Sequence, residues 1–146
     1  MLTFTKEKIK EISEQLDLGL RAFFHKQTGK LLIVPDTNKD FDIEEEAWQE
    51  DLDELDENFL DYCEINPMES RDSFQVMADF AEEVADPKLR AKLVAALEKR
   101  KPFREFRFVI DNSGEYRQMW FHFKDKSYIE WVEKQLIREN ALISLS

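Results

Sequence analysis

The chain has one cysteine, three glycines, and no lysine or arginine between Asp40 and Glu64. Each scarcity closes off a class of protein. A lone Cys63 forms neither an intramolecular disulfide nor a multi-cysteine metal site, and it fits a reducing compartment, read here as the cytoplasm. Three glycines are too few for the many tight turns of a barrel or sandwich. They are also too few for phosphate-cradling loops: GxGxxG, GxxxxGK with Ser or Thr, GxSxG and the kinase signatures are all missing. No run of roughly 18 apolar residues occurs, so nothing reads as membrane-spanning. The N-terminus, Met1-Leu2-Thr3-Phe4-Thr5-Lys6-Glu7, turns charged at once and lacks the apolar run of a signal peptide.

What is there is negative charge, unevenly spread. Asp40–Glu64 holds thirteen Asp or Glu, while the whole chain carries −11. The remainder, with 21 basic and 19 acidic residues, is slightly positive. An acidic balance argues against nucleic acid as the general partner, because affinity there comes from neutralising phosphates. It points instead to another protein, basic in character, that is steered and docked by charge. The 146 residues fit a single domain, 1–146, and twelve Phe and three Trp supply its core.

Local patterns set out the elements. Thr5 caps a helix to Asp17, with Lys8 where a capping-box Glu would sit. Ile9, Ile12 and Leu16 form its apolar face, and Gly19 ends it. Residues 20–35 read as a hairpin, two β-rich runs around Gln27-Thr28-Gly29-Lys30, stopped by Pro35. The acidic stretch places Ile43, Ala47, Trp48, Leu52, Leu55 and Phe59 at helical spacing, giving one buried stripe and a negative outer face. Residues 59–65 read equally as a third strand. Residues 70–100 are helical, with a stripe of Phe74, Met77, Phe80, Ala81 and Val84. Asp86-Pro87 opens a new helix as N-cap and first residue, with Leu89, Leu93, Ala96 and Leu97 inward. Pro102 starts another, with Phe103, Phe106, Val109 and Ile110 inward, closed by Asn112-Ser113-Gly114. A last helix from Glu115 carries Tyr116, Trp120, Phe123, Ile129, Trp131, Val132 and Leu136, with a break possible near Asp125-Lys126-Ser127. The tail from Ala141 is expected to fray.

A run of larger motifs follows the acidic stretch: Met77-Ala78-Asp79-Phe80, then Leu93 to Leu97 leading into Arg100-Lys101-Pro102-Phe103-Arg104-Glu105-Phe106, then Trp120-Phe121-His122-Phe123 and Trp131-Val132. Together they resemble the uncharacterised bacterial family UPF0158. The resemblance implies a bacterial domain in which Met77, Phe80, Leu97, Pro102, Phe103, Phe106, Trp120 and Trp131 are packing residues. It implies no reaction.

Four constellations carry chemistry. Arg100, Lys101, Arg104 and Arg107 lie in a stretch, Asp86–Arg107, of eight basic and three acidic residues. Beside aromatics, such cations can grip phosphate or stack a base; alternatively they close the preceding helix and pair with the acidic block. The acidic helix offers Trp48, Asp51, Asp53, Glu54 and Asp56 as a docking face, or is a solvated helix. Asp36-Thr37-Asn38-Lys39-Asp40 matches a calcium loop at its first, third and fifth positions. Phe41 then stands where the sharp turn needs Gly, and Ala47 where a bidentate Glu should close the site. The loop therefore reads as solvated, leading into a helix whose first-turn acids suit its dipole. His25 and His122 lack the spacing of a zinc helix, and Cys63, between Tyr62 and Glu64, has acidic neighbours that blunt a thiol.

These readings converge on a mainly helical α+β domain with a small antiparallel sheet. Its expected function is non-enzymatic protein interaction through the acidic face, with no cofactor and no metal. A nucleic-acid or nucleotide module using the basic 99–107 surface is the alternative, and an enzyme of unfamiliar type, with His122 or Cys63 near acids, is the third. Oligomeric state has no signature in the sequence.

Overall fold

The computed structural model of the chain describes residues 2–36 and 45–145. Helix α1 (Lys6–Asp17) starts where its cap dictates: the Thr5 hydroxyl accepts the Lys8 N–H at 3.1 Å. It stops at Gly19, whose φ of 94° lets the Gly19 N–H reach the Leu16 carbonyl and the Leu20 N–H reach that of Gln15. This is the paired closure that a left-handed glycine permits. Strands β1 (Arg21–His25) and β2 (Leu31–Val34) follow as an antiparallel hairpin. Gly29, at φ 75°, closes its loop by donating to the His25 carbonyl at 2.9 Å. The His25 ring turns inward on the same loop, its Nδ1 accepting the N–H groups of Gln27 and Thr28.

Helix α2 (Glu45–Glu57) comes next, then a 3-10 turn (Phe59–Asp61) and strand β3 (Tyr62–Ile65). Both readings of residues 59–65 were therefore partly right: the acidic stretch is helical to Glu57, and the strand begins only at Tyr62. Phe59 does not join the α2 stripe; it lies on the 3-10 turn, 61 % exposed. Ile43 lies outside the described residues. The sheet order is β2-β1-β3, antiparallel throughout.

Helices α3 (Ser70–Glu83), α4 (Pro87–Leu97), α5 (Pro102–Asp111) and α6 (Tyr116–Ser144) complete the set, so six helices and one three-stranded sheet make up the described residues. Asp86 caps α4 through the Lys88 N–H, as its place before Pro87 requires. The α6 helix is unbroken: no Pro or Gly stands at Asp125-Lys126-Ser127, and Ser127 turns its hydroxyl back to the Phe123 carbonyl. It also continues past Ala141 to Ser144.

The chain gathers into two units, Met1–Pro67 with Tyr128–Ser146, and Met68–Ser127. In the first, alternation divides the sheet's side chains between two faces. Phe23, Leu32, Val34 and Tyr62 pack with Leu55 and half-buried Leu52 of α2. Ala22, Phe24 and Ile65 point the other way and are fully buried; Phe4 meets Phe24 edge-on at 5.4 Å, and α1 lies along β1. Arg21 and Glu64 form a diagonal cross-strand pair, two bonds of 2.9 Å each, with the guanidinium also over the Phe23 ring. Beyond β3, Gln135 holds both the N–H and the carbonyl of Asn66, and Trp131 donates its indole N–H to the same carbonyl. Trp131 is thus a half-buried tether, not a fully packed residue.

In the second unit, Met77, Phe80, Ala81, Val84, Leu89, Leu93, Phe106 and Ile110 form the core, flanked by Leu97, Trp120 and Phe123. Trp120 meets Phe80 and Phe106 edge-on at 5.3 and 4.9 Å. Arg90 closes the end of α3 with two bonds to the Val84 carbonyl. Pro102 is half-buried at the start of α5. Phe103 corrects the expectation of burial: it is 44 % exposed. It sits in the first turn of α5, where side chains tilt back past the helix end, so the buried stripe starts one turn later at Phe106.

Phe106→Ala should therefore cost about 3–5 kcal/mol in urea denaturation, and Phe103→Ala less than about 1 kcal/mol. Equal losses would place Phe103 in the core after all.

Candidate functional site

The orientation of α2 follows from its two inward leucines. With Leu52 and Leu55 turned to the sheet, Glu50, Asp53, Asp56 and Glu57 face water and Asp51 is half-buried. Two of the residues expected to form the docking face are engaged locally. Asp53 accepts from Gln49 at 2.7 Å, and Glu54 accepts the Tyr62 hydroxyl at 3.0 Å and the Asn58 amide at 3.2 Å. Burial of the ring, followed by that bond to Glu54, pushes the Tyr62 phenol above its ordinary range. Neither contact supplies positive charge. Among the described residues no Lys or Arg pairs with Glu50, Asp51, Asp53, Glu54, Asp56 or Glu57. The helix also ends without a basic residue in its last turn, so Asp56 and Glu57 sit against the negative end of the helix dipole.

Beside this face is a cleft of about 550 Å³. Lys8, Glu11 and Gln15 of α1 line it, as do Lys30, Leu31 and Ile33 on and before β2, and Trp48 and Asp51 of α2. Trp48 and Asp51 of the expected docking face thus share one concavity, while Asp53 and Asp56 lie on the exposed side of the helix. Nothing in the sequence marked Lys8, Glu11 or Gln15. Their role depends on which strand forms the sheet edge, and local pattern does not reveal strand order.

The basic residues are placed differently. Arg104 pairs with Glu105 at 3.2 Å and Arg107 with Asp111 at 3.7 Å, both on α5 itself. Lys99 also reaches Glu105, at 3.8 Å. Arg100 and Lys101 have no ionic partner among the described residues. Phe103 and Phe108, 44 % and 69 % exposed, lie on the same helix.

Cys63 is half-buried, with its sulfur 3.6 Å from a Glu139 carboxylate oxygen. Burial, and then the Glu139 charge, push the thiol up to about 11, the opposite of what a nucleophile requires. His122 is exposed on a shallow groove of about 330 Å³ beside Glu83, Met119 and Lys126. No group of three His, Cys, Asp or Glu among the described residues is placed to hold a metal ion. Most of the calcium-like loop lies outside the described residues. Among the described residues no helix is long and apolar enough to cross a membrane.

Fold and site define a mainly helical α+β protein with a strongly acidic helix packed on a small sheet. The chain belongs to the uncharacterised protein family UPF0158, whose model matches residues 1–145. It is similar to UPF0158 protein PA5073 of Pseudomonas aeruginosa, 31% identical over 126 residues, which cover 85% of this chain and 76% of that protein. No solved structure matches it.

Two measurements follow. Repulsion along α2 should be relieved by screening, so raising NaCl to roughly 1 M at neutral pH should raise Tm by a few degrees. Combining Asp53→Asn, Asp56→Asn and Glu57→Gln should raise Tm at low salt and flatten that response; an unchanged salt response would show that repulsion is not a destabiliser. For Cys63, the rate of alkylation by iodoacetamide should inflect near pH 11, and an inflection near the ordinary ~8.5 would contradict the burial and the Glu139 contact. The folded thiol titrates higher than the unfolded one, so its stabilisation is whole below about pH 8.5 and is lost as pH climbs toward 11.

Proposed function

We propose that this protein is a bacterial cytoplasmic interaction module that docks a basic protein through the outer face of α2. The observation that carries the reading is the row of six α2 carboxylates, Glu50, Asp51, Asp53, Glu54, Asp56 and Glu57, without a Lys or Arg partner among the described residues. Charge left uncompensated on a packed helix extends a negative field into solvent, which speeds encounter with a cationic surface and gives it a register. Half-buried Trp48 at the end of that row supplies an aromatic anchor of the kind that concentrates binding energy.

A second reading uses Arg100 and Lys101 with exposed Phe103 and Phe108 to hold a phosphate-bearing ligand. The local pairing of Arg104 and Arg107 takes two of its four cations and weakens it. An enzymatic role through Cys63 is disfavoured by the raised thiol.

Affinity capture from a bacterial lysate separates these. The wild-type chain should retain a basic protein that high salt releases. The chain carrying Asp53→Asn, Asp56→Asn and Glu57→Gln should lose it, while Arg100→Ala with Lys101→Ala should keep it. Retained RNA or DNA, lost on the second pair of substitutions, would move the function to the basic surface. Capture unaffected by the α2 substitutions, or no capture at all, would contradict docking through α2.

A further inference from the structure

We infer that the outer edge of β2 takes up an extended basic segment of the docked partner as a fourth strand of the sheet. The inference rests on the docking role proposed above and names where, and in what conformation, the partner binds. Its first support is the hydrogen-bond phase of the hairpin. The His25 N–H donates to the Lys30 carbonyl at 2.8 Å. Antiparallel pairing repeats every second residue, so the backbone groups of Leu32 and Val34 point to Phe23 and Arg21 in the observed register. Those of Leu31 and Ile33 therefore point away from β1, toward the outside of a sheet whose order is β2-β1-β3. The Lys26 N–H on the Asp61 carbonyl gives β1 and β3 the matching phase. Among the described residues no donor or acceptor satisfies the two N–H and two C=O groups of Leu31 and Ile33.

The second support is the cleft at that edge. Leu31 and Ile33 line it with half-exposed apolar side chains, α1 walls it with Lys8, Glu11 and Gln15, and α2 walls it with Trp48 and Asp51. An added strand places alternate side chains on opposite faces, so one set would meet Leu31, Ile33 and α1, and the other Trp48 and α2. Main-chain bonds supply affinity in this mode of recognition and the flanking side chains supply selectivity. The edge is short, bounded by Lys30 and by Pro35, which lacks an N–H, and short edges limit open-ended stacking.

Charge selects the occupant. The unit formed by Met1–Pro67 with Tyr128–Ser146 carries nine basic and twenty-one acidic residues. The cleft lining itself is balanced, Lys8 and Lys30 against Glu11 and Asp51, so the bias comes from the surrounding unit: a second copy of this chain would bring the same sign of charge against it, whereas a lysine-rich extended segment complements the unit's acidic excess and the α2 row.

The test uses the full chain and a labelled peptide of about eight residues alternating Lys and Val, longer than β2, followed by fluorescence anisotropy. The peptide should bind, and its amides methylated at alternate residues should weaken binding at least about tenfold by removing strand bonds without removing charge. Hydrogen exchange should show the Leu31 and Ile33 amides gaining protection on binding. Ile33→Pro deletes an outward N–H and should weaken the peptide comparably, with circular dichroism confirming the fold. Equal binding of plain and methylated peptides would overturn strand addition while leaving charge-driven docking intact. Absence of peptide binding, with lysate capture still dependent on α2, would do the same. Protection of Leu31 and Ile33 in a dimer without peptide would assign the edge to a second copy and overturn the basic occupant. The docking role itself fails if lysate capture is absent or does not depend on the α2 carboxylates.

Discussion

The packing of Leu52 and Leu55 against Phe23, Leu32, Val34 and Tyr62 is the contact on which the rest of the first unit depends. Two leucines three residues apart fix the rotation of α2 about its own axis, because only one helical face can be buried at a time. With that rotation set, Glu50, Asp53, Asp56 and Glu57 point outward, Asp51 lines the cleft, and Glu54 turns to the Tyr62 hydroxyl. The same contact leaves β2 with a helix over one face and an outer edge that no described strand pairs with. Burial of apolar area, at roughly 25 cal/mol per Å², is thus what holds a helix of like charges in place against its own repulsion.

Helix α5 of the second unit contrasts with α2. Its acidic residues Glu105 and Asp111 are each shared between two cations, Lys99 and Arg104 for one, Arg107 and Arg117 for the other. Exposed pairs of this kind contribute only about 0–1 kcal/mol each, yet they cancel the local field. On α2 no Lys or Arg among the described residues cancels the field of Glu50 to Glu57. Stability alone would be served by lysines in the last turn of such a helix. All six helices of the described residues lack a basic residue in the last turn, so what sets α2 apart is its density of carboxylates and not the way it ends.

Much of the fold was legible because its signals are local. Thr5, Asp86-Pro87 and Gly19 each act through a hydrogen bond within a few residues, and each placed a boundary correctly. The hairpin was readable from Gly29 and its flanking β-branched and aromatic runs. The failures involve information that is not local. Phe103 fits the α5 stripe by spacing, but its turn projects past the helices that cover Phe106. Phe59 fits the α2 stripe, yet the chain leaves the α-helix at Glu57 to enter β3. The acidic face was legible from composition, and Trp48 and Asp51 were named with it. The cleft was not, since α1 and the outer groups of β2 come together only once β3 has paired with β1 and made β2 the edge.

Backbone NMR shift perturbation by a lysine-rich peptide tests the proposed docking most directly. Changes should concentrate at Trp48 to Glu57 and at Leu31 and Ile33, fading as salt is raised. Changes centred on Arg100 to Arg107, or shifts spread evenly over both units, would contradict it.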